Sequence, residues 1–339
     1  MLDLHPVSIG VIGAGGMGTR HVENIHHHLS TARVSAVYDF DPQRARQAAE
    51  RCGSAIVFDQ PFQLIQDERI DAVIIASPDA THIDYVLECL RCRKPVLCEK
   101  PLATSAADAV KAIEAEIALG RRLVAVGFMR RFDPQHIAVQ QVIKAGGLGR
   151  PIAYKGVHRN AAIPYAVTGE VVITNSAGHD IDAARWLLGQ EVEEVYVRGV
   201  RSHASFSSET IDLLLFQMEL SGDCLAAVEV FVAAEYGYEV STEIVAERGT
   251  AATRQPDFVM LRSRQTRAAS IPMDWLARFQ AAYVEEIRHW VHSLQAQEPF
   301  TGASAWDAYM ALLVTDACVQ SLKSRTPVRV TSPAKPALY

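Results

Sequence analysis

Short apolar runs rich in β-branched residues recur through the first 130 positions, and stretches with helical periodicity separate most of them. Six runs predict strands, at residues 7–12, 34–38, 55–58, 71–76, 96–98 and 123–127. Strands that alternate with helices form parallel sheets with helices on both faces. The pattern therefore predicts a doubly wound parallel α/β domain over residues 1–127.

The pattern changes in the second part of the chain, residues 128–339. A helix ending near Gly146-Gly147, a strand through 154–157 and a helix in "ITNSAGHDIDAARWLLG" come first. Several strands then follow closely between 192 and 262, and strands joined by short turns pair antiparallel. Helices around 275–295 and 303–323 precede a Pro-rich tail that we expect to be poorly ordered. We predict an α+β domain with one large, mostly antiparallel open sheet.

Composition and charge narrow the function classes. The chain has 339 residues, 49% of them hydrophobic, with no run of eighteen apolar residues and no signal-peptide pattern, so we expect a cytoplasmic protein. A net charge of −6 without a basic block argues against nucleic acid and anionic membrane as partners. Cys89 and Cys92 form a lone C-x-x-C with no second pair, so no metal site is predicted. A small molecule is the expected ligand.

An open sheet also predicts self-association. A sheet face that no helix of the same chain covers is often covered by a second subunit. We therefore expect a homo-oligomer.

The strongest local motif is "SIGVIGAGGMGTRH", in which Gly13, Gly15 and Gly18 follow an apolar strand and begin a helix. These glycines permit a tight turn, a close approach of pyrophosphate to the backbone, and close helix–strand packing. Asp39 ends the second strand, twenty-one positions after Gly18, where a carboxylate binds ribose hydroxyls and repels a 2′-phosphate. The motif predicts a Rossmann domain that binds NAD rather than NADP.

Two further motifs, "IIASPDATH" and "VLCEKPLA", end the fourth and fifth strands. Ligands of doubly wound sheets bind outside the carboxyl ends of the strands. Ser77, Pro78, Glu99 and Lys100 should therefore lie near the nicotinamide half of the cofactor. Burial beside that ring would favour the neutral amine of Lys100, which suits hydroxyl binding or proton exchange.

These motifs, with "VGFMRRFDP" and "HDIDAARWLLG" in the same order, resemble the Gfo/Idh/MocA family of dinucleotide-dependent sugar and cyclitol oxidoreductases. The resemblance covers essentially the whole chain. Segments of the second part, "GFMRRFD", "VHRNA", "EYGYEV" and "DWLARFQAAYVEE", are most similar to the inositol 2-dehydrogenase branch. The resemblance implies a homotetramer.

The resemblance also implies roles for single residues. Lys100 matches the active-site lysine and His179 the catalytic histidine. The cofactor contacts predicted from motif and resemblance are Gly13, Gly15, Gly16, Met17, Gly18, Asp39, Ser77, Pro78, His82, Glu99 and Lys100. The predicted substrate contacts are Met129, Arg130, His158, Asn160, Asn175, His179, Tyr236 and Tyr238. Positions 158 and 160, like 236 and 238, are two apart and should share a strand face.

The helix that carries His179 departs from the family at one position. Inositol dehydrogenases of this family have Asp four residues before the catalytic His, whereas this chain has Asn175. Helical periodicity places Asn175, His179, Asp182 and Trp186 on one face, opposite an apolar face, and Gly189 is a natural end. Thr174, Asn175 or Ser176 could equally be the N-cap. Asn175 is thus either a cap or a catalytic partner without charge. In the second case the helix could compensate for the missing charge through Asp182, or the role of base could shift to Lys100.

The expected reaction is NAD-dependent oxidation of a ring hydroxyl of myo-inositol or a related cyclitol to a ketone. His179 would take the hydroxyl proton, because an imidazole titrates near neutrality, and Lys100 would assist. The alternatives are a dehydrogenase of another sugar or aminocyclitol, a glycoside hydrolase that uses NAD transiently, and a non-catalytic NAD-binding sugar sensor. A proton acceptor at the hydride-transfer site argues against a sensor.

Overall fold

A computed structural model describes residues 5–53, 55–162, 167–254 and 260–339. The strands are, in chain order, β1 (Val7–Ile12), β2 (Ala32–Tyr38), β3 (Ile56–Val57), β4 (Ala72–Ile75), β5 (Val96–Glu99), β6 (Val124–Gly127), β7 (Pro151–Arg159), β8 (Val192–Val200), β9 (Leu213–Leu220), β10 (Cys224–Phe231), β11 (Glu239–Ala246), β12 (Gly249–Ala252), β13 (Met260–Ser263), β14 (Thr266–Ala269), β15 (Ala303–Ser304) and β16 (Val328–Arg329). The α-helices are α1 (Gly16–His28), α2 (Pro42–Arg51), α3 (Pro61–Gln66), α4 (His82–Arg91), α5 (Ala106–Leu119), α6 (Pro134–Lys144), α7 (Gly169–Val172), α8 (Gly178–Leu188), α9 (Trp275–Ala296) and α10 (Ala305–Ser324).

The chain divides into two compact units. The first unit comprises Met1–Phe132, Ala281–Met310 and Ala334–Tyr339, and the second comprises Asp133–Gln280 and Ala311–Pro333. The sequence predicts a second domain over the whole of 128–339, whereas residues 281–310 and 334–339 lie in the first unit. The difference arises because side chains late in the chain, including Trp290, are buried with the core around β1 and α1.

The first unit is the predicted doubly wound domain. Its sheet has the strand order β15-β6-β5-β4-β1-β2-β3, with β1 to β6 parallel and only the short β15 antiparallel, to β6. All six residues of β1 are buried, as expected where helices cover both faces of a parallel sheet. The prediction of six parallel strands is confirmed, and β15 is an addition.

Local sequence signals set the helix ends in this unit. The Asp41 carboxylate accepts the backbone N–H of Gln43 at 2.9 Å and caps α2, which begins at Pro42. The Ser105 hydroxyl accepts the N–H of Asp108 at 3.1 Å and caps α5, which ends at Gly120 with φ +65°.

The expectation of a poorly ordered tail is wrong. β16 pairs with β8 in the second unit. In the first unit the Tyr339 hydroxyl donates to the Glu116 carboxylate, and the Tyr339 ring lies 6.2 Å from that of Trp306. An aromatic residue at the chain end supplies apolar surface and a donor, which the Pro-rich composition concealed.

The second unit is built on a sheet with the order β12-β11-β7-β10-β9-β8-β16. Among the described strands of this sheet only β7 and β10 pair in parallel, so the predicted, mostly antiparallel sheet is confirmed. Its strands alternate buried and more exposed positions, as in β9 and β10. Leu215, Leu225 and Val200 lie on the open face, each more than half exposed.

A buried polar cluster anchors α6 in this unit. The Asp133 carboxylate caps α6, lies 2.5 Å from His136 Nδ1, and accepts two N–H groups of Arg278 at 2.8 and 3.0 Å. Burial alone would raise the pKa of Asp133, but its bonds to His136 and Arg278 outweigh burial and hold that pKa far below its ordinary value.

Candidate functional site

The glycine turn between β1 and α1 has the geometry that its sequence predicts. Gly13 has φ +94°, and a Cβ there would lie 2.4 Å from the Ala76 carbonyl oxygen. A Cβ on Gly18 would lie 1.8 Å from the Gly13 carbonyl oxygen, so only glycine permits this packing. Gly15 and Gly16 instead face open space. The turn thus presents backbone without side chains at the start of a helix, where anions bind.

Asp39 follows β2 and faces this turn. Its carboxylate accepts the backbone N–H of Ala14 at 2.6 Å and that of Asp41 at 2.9 Å. The side chain is buried, and these two bonds hold it at the carboxyl end of the strand. A carboxylate has about four lone-pair sites, so two acceptor positions remain for a ligand.

The segment after β4 is tied to the segment after β5 by His82. One ring nitrogen, Nδ1, lies 2.7 Å from the Pro101 carbonyl oxygen, and the other, Nε2, lies 2.8 Å from the Ser77 carbonyl oxygen. The Ser77 and Thr81 hydroxyls are 2.7 Å apart. The structure thus occupies both ring nitrogens of His82 with backbone groups, and its predicted contact with the cofactor stays a prediction.

Glu99 is the last residue of β5, and Lys100 follows it and is joined to Pro101 by a cis peptide bond. His21 Nε2 on α1 lies 2.7 Å from Glu99 Oε1. Burial would raise the pKa of Glu99, but the hydrogen bond and charge of His21 lower it, and the net direction is down. Burial lowers the pKa of Lys100 more than the Glu99 carboxylate raises it. The net direction of the Lys100 pKa is therefore down, toward the neutral amine that the sequence predicts.

Met129 and Arg130 lie in a short 3₁₀ helix after β6 and are both buried. The Arg130 charge adds to the lowering of the Lys100 pKa. In the first unit Arg130 is thus close enough to Lys100 for its charge to influence the Lys100 amine.

In the second unit, β7 and α8 bring a polar group together. His158 Nδ1 lies 2.8 Å from Asp180 Oδ2, and both side chains are buried. Asn160 Nδ2 lies 3.5 Å from His158 Nε2, so positions 158 and 160 share one side as predicted. The Tyr238 ring meets that of His158 edge-on at 5.9 Å. A proton on Nδ1 satisfies Asp180 and leaves Nε2 as an acceptor.

Tyr236 lies elsewhere in this unit. It is 44% exposed, its hydroxyl accepts from Arg159 at 3.0 Å, and it donates to Glu239. The expectation that 236 and 238 share a strand face is wrong, because both precede β11 and Gly237 between them has φ +142°. The role of Tyr236 in substrate binding stays a prediction.

The helix that carries His179 starts earlier than expected. Thr168 is its cap, with the hydroxyl accepting the Val171 N–H at 3.3 Å, and α7 continues through a π-helical segment, Ile173–Ala177, into α8. Asn175 therefore lies within the helix, and its alternative as N-cap is wrong. The predicted end at Gly189 is confirmed, because Gly189 has a φ of +66° and its backbone N–H donates to the Arg185 carbonyl oxygen.

The predicted contrast between an apolar and a polar face does not hold for α8. Asp180, Asp182 and Arg185 are buried along with the apolar residues, whereas His179 and Trp186 are only partly buried. The charged residues can be buried because they have partners, as Asp180 has in His158 and Arg185 in Glu191 at 2.6 Å. Periodicity cannot reveal such partners.

Comparison with known proteins gives the family. Residues 7–128 match the model "Oxidoreductase family, NAD-binding Rossmann fold", and residues 140–330 match its "C-terminal alpha/beta domain". The chain belongs to the Gfo/Idh/MocA oxidoreductase family.

Relatives of this Gfo/Idh/MocA protein match over nearly their full length. An inositol 2-dehydrogenase of Rubrobacter xylanophilus is 48% identical over 99% of this chain and 97% of its own. Inositol 2-dehydrogenase 1 of Saccharopolyspora erythraea is 40% identical over 98% of this chain and 99% of its own. The fold is also similar to the crystal structure of myo-inositol dehydrogenase from Lactobacillus casei in complex with NAD(H) and myo-inositol. The TM-score is 0.94 and the sequence identity 31%, over 98% of this chain and 99% of the other.

The cofactor of this oxidoreductase is NAD, and the first unit fits it. The open space at Gly15 and Gly16 leaves room for a pyrophosphate against the backbone, and Asp39 retains acceptor sites for ribose hydroxyls. Among the described residues no helix is long and apolar enough to cross a membrane.

Two residues of this Gfo/Idh/MocA protein were missed by sequence reasoning. His21 lies just after the glycines of the motif, in the first turns of α1, and this position is the sequence signal that could have identified it as a site residue. Asp180 is adjacent to His179, but its partner His158 is 22 positions away, so no local signal identified the pair.

Proposed function

We propose that the protein oxidises one ring hydroxyl of an inositol to the ketone. The substrate is myo-inositol or a related cyclitol. The observation that carries this proposal is the 48% identity to an inositol 2-dehydrogenase over 99% of the chain. The 31% identity to a myo-inositol dehydrogenase solved with its ligands favours the myo isomer. The buried hydrogen-bonding groups around His158 suit a polyol, which needs many donors and acceptors.

We assign the cofactor contacts to the glycine turn, Asp39, the segment at Ser77 and Pro78, and the turn at Glu99 and Lys100. Asp39 would accept the ribose hydroxyls and disfavour a 2′-phosphate. NAD supplies a hydride acceptor when it is bound.

His179 is the proposed base that takes the hydroxyl proton, and Lys100 is proposed to assist it, as the family resemblance implies. The lowered pKa of Lys100 suits this role, because its amine can both bind a hydroxyl and exchange a proton. Asn175 provides polar atoms near the base position but no charge. His158, Asn160 and Tyr238 bind other hydroxyls, with Met129 and Arg130 as further substrate contacts.

A panel of inositol isomers, aminocyclitols and sugars, scored by NADH absorbance, tests the proposal. We expect the highest kcat/KM with myo-inositol. NADH formation only with pyranose sugars would replace the cyclitol assignment with a sugar dehydrogenase, and binding without NADH formation would contradict turnover.

We also propose self-association through the open face of the second unit, as a homotetramer. Leu215, Leu225 and Val200 present apolar surface there, among ion pairs such as Lys155 with Glu243 at 3.0 Å. Light scattering of the wild type should give four chain masses, and Leu225→Lys should lower the mass. A monomeric wild type at micromolar concentration would contradict this. The cytoplasmic location stays a prediction.

A further inference from the structure

The Glu99-Lys100-Pro101 segment, which we call the lysine turn, is held on both sides by a buried histidine. We propose that His21 and His82 are positioning residues that together fix the lysine turn and so aim the Lys100 amine. This inference rests on the proposed function, which gives Lys100 its role in the reaction.

His21 holds the lysine turn through Glu99. Its ring is fully buried, and Nε2 donates to Glu99 Oε1 at 2.7 Å. The Tyr283 ring meets it edge-on at 6.3 Å. A Cβ on Gly127 would come within 3.0 Å of Glu99 Oε2, so β6 closes the other side of the carboxylate. Glu99 is therefore confined between a histidine donor and a backbone without side chain.

His82 holds the lysine turn through Pro101. Its ring is 1% exposed and lies between the Pro101 and Ser77 carbonyls, at 2.7 and 2.8 Å. A carbonyl oxygen only accepts, so a ring nitrogen bonds its carbonyl when that nitrogen carries a proton. The His82 charge also favours the ionised Glu99. The ring thus joins the end of β4 to the residue after Lys100.

The two contacts bear directly on Lys100. The Glu99 carboxylate raises the pKa of Lys100 and opposes the effect of burial. A Glu99 that moves away or takes a proton loses that influence. An amine displaced by about an ångström also loses its alignment with the reacting oxygen, which is costly in rate.

Amide substitutions separate the two contacts. The amide nitrogen of Asn lies as many bonds from Cβ as His Nδ1, and that of Gln as many as His Nε2. His21→Gln therefore keeps the donor to Glu99, and His21→Asn loses it. At position 82 the order reverses, since His82→Asn keeps the bond to Pro101 and His82→Gln keeps only the bond to Ser77.

We expect His21→Asn to lower kcat about tenfold or more and His21→Gln to stay within about threefold of the wild type, and we expect His82→Gln to lower kcat more than His82→Asn does. His136→Gln is the matched control, a buried histidine bound by Asp133 and Thr242 in the second unit. The His136→Gln variant should lower the melting temperature without the selective loss of kcat that we expect for His21→Asn. Equal losses in both members of each pair would reduce the histidines to general structural roles and overturn the proposal.

A second readout does not depend on turnover. Competitive labelling of the full-length protein with acetic anhydride across pH, followed by peptide mass spectrometry, gives the apparent pKa of Lys100. We expect His21→Asn to lower that pKa below the wild-type value, since the Glu99 charge is weakened, and His21→Gln to preserve it. An unchanged value in a folded His21→Asn protein would overturn the role of His21.

The two readouts distinguish the failures. A wild type that reduces NAD with no cyclitol or sugar contradicts the proposed function, and the labelling result still decides whether His21 sets the state of Lys100. A wild type that turns over myo-inositol, with identical labelling and kcat in all four variants, contradicts only this inference.

Discussion

In the first unit two candidate polar side chains, Asp39 and His82, bind backbone groups, whereas in the second unit His158, Asn160 and Tyr236 bind other side chains. Asp39 accepts the N–H of Ala14, and the His82 ring lies between two carbonyl oxygens. His158 pairs instead with Asp180, and Asp133 with Arg278. A backbone partner remains when its residue is substituted, because nearly every residue carries the same N–H and C=O groups. A side-chain partner is lost with its residue, so each such pair is sensitive to a single substitution in either segment.

The largest expected effect is on the two residues assigned to proton chemistry, one in each unit. Lys100→Ala and His179→Ala should each lower kcat about a thousandfold, the usual range for a general acid–base group. Steady-state NADH formation measures this, with the exposed Lys111→Ala and His203→Ala as controls that keep full activity. Full activity in either site variant would refute the role of that residue.

The second prediction concerns the side-chain pair of the second unit. His158→Ala leaves the buried Asp180 carboxylate without this donor and should lower the free energy of unfolding by about 3 kcal/mol. Urea denaturation measures the loss, and the exposed Glu193→Ala should cost less than about 0.5 kcal/mol. A His158→Ala protein as stable as the wild type would show that side-chain pairing does not hold this unit together.

Acid should affect the second unit through Asp133. Its pKa is lower in the folded than in the unfolded protein, so its stabilisation is present above a pH of about 4 and is lost as the pH falls further. We expect Asp133→Asn to remove about 2 kcal/mol at neutral pH and to flatten the loss of stability in acid. Parallel acid curves for the variant and the wild type would exclude Asp133 as a source of this dependence.

The smallest expected effect is at Asn175. A carboxylate near the base would stabilise the imidazolium that forms when His179 takes a proton, so Asn175→Asp should raise kcat by up to about tenfold and move the pH–rate profile. The comparison variant is Asn175→Ala, in which a lower kcat would indicate that the amide orients the base. An unchanged rate and profile in both variants would remove position 175 from the catalytic apparatus.

The fold was largely predictable because its signals are periodic and short in range. The six parallel strands and the open antiparallel sheet follow from alternating apolar patterns, and Gly189 ends its helix as expected. The start of that helix was not predictable. A π-helical segment at Ile173–Ala177 changes the phase between Asn175 and His179, and the cap is Thr168 rather than one of the residues 174–176.

The candidate site divides in the same way. By itself the sequence determined the glycine turn, the position of Asp39 and the order Glu99-Lys100-Pro101, since these depend on neighbouring residues and on the direction of parallel strands. Only the tertiary structure decided that His21 binds Glu99, that Asp180 binds His158, and that Tyr236 turns to Arg159. A buried charge must find a partner, and which partner it finds depends on how distant segments pack.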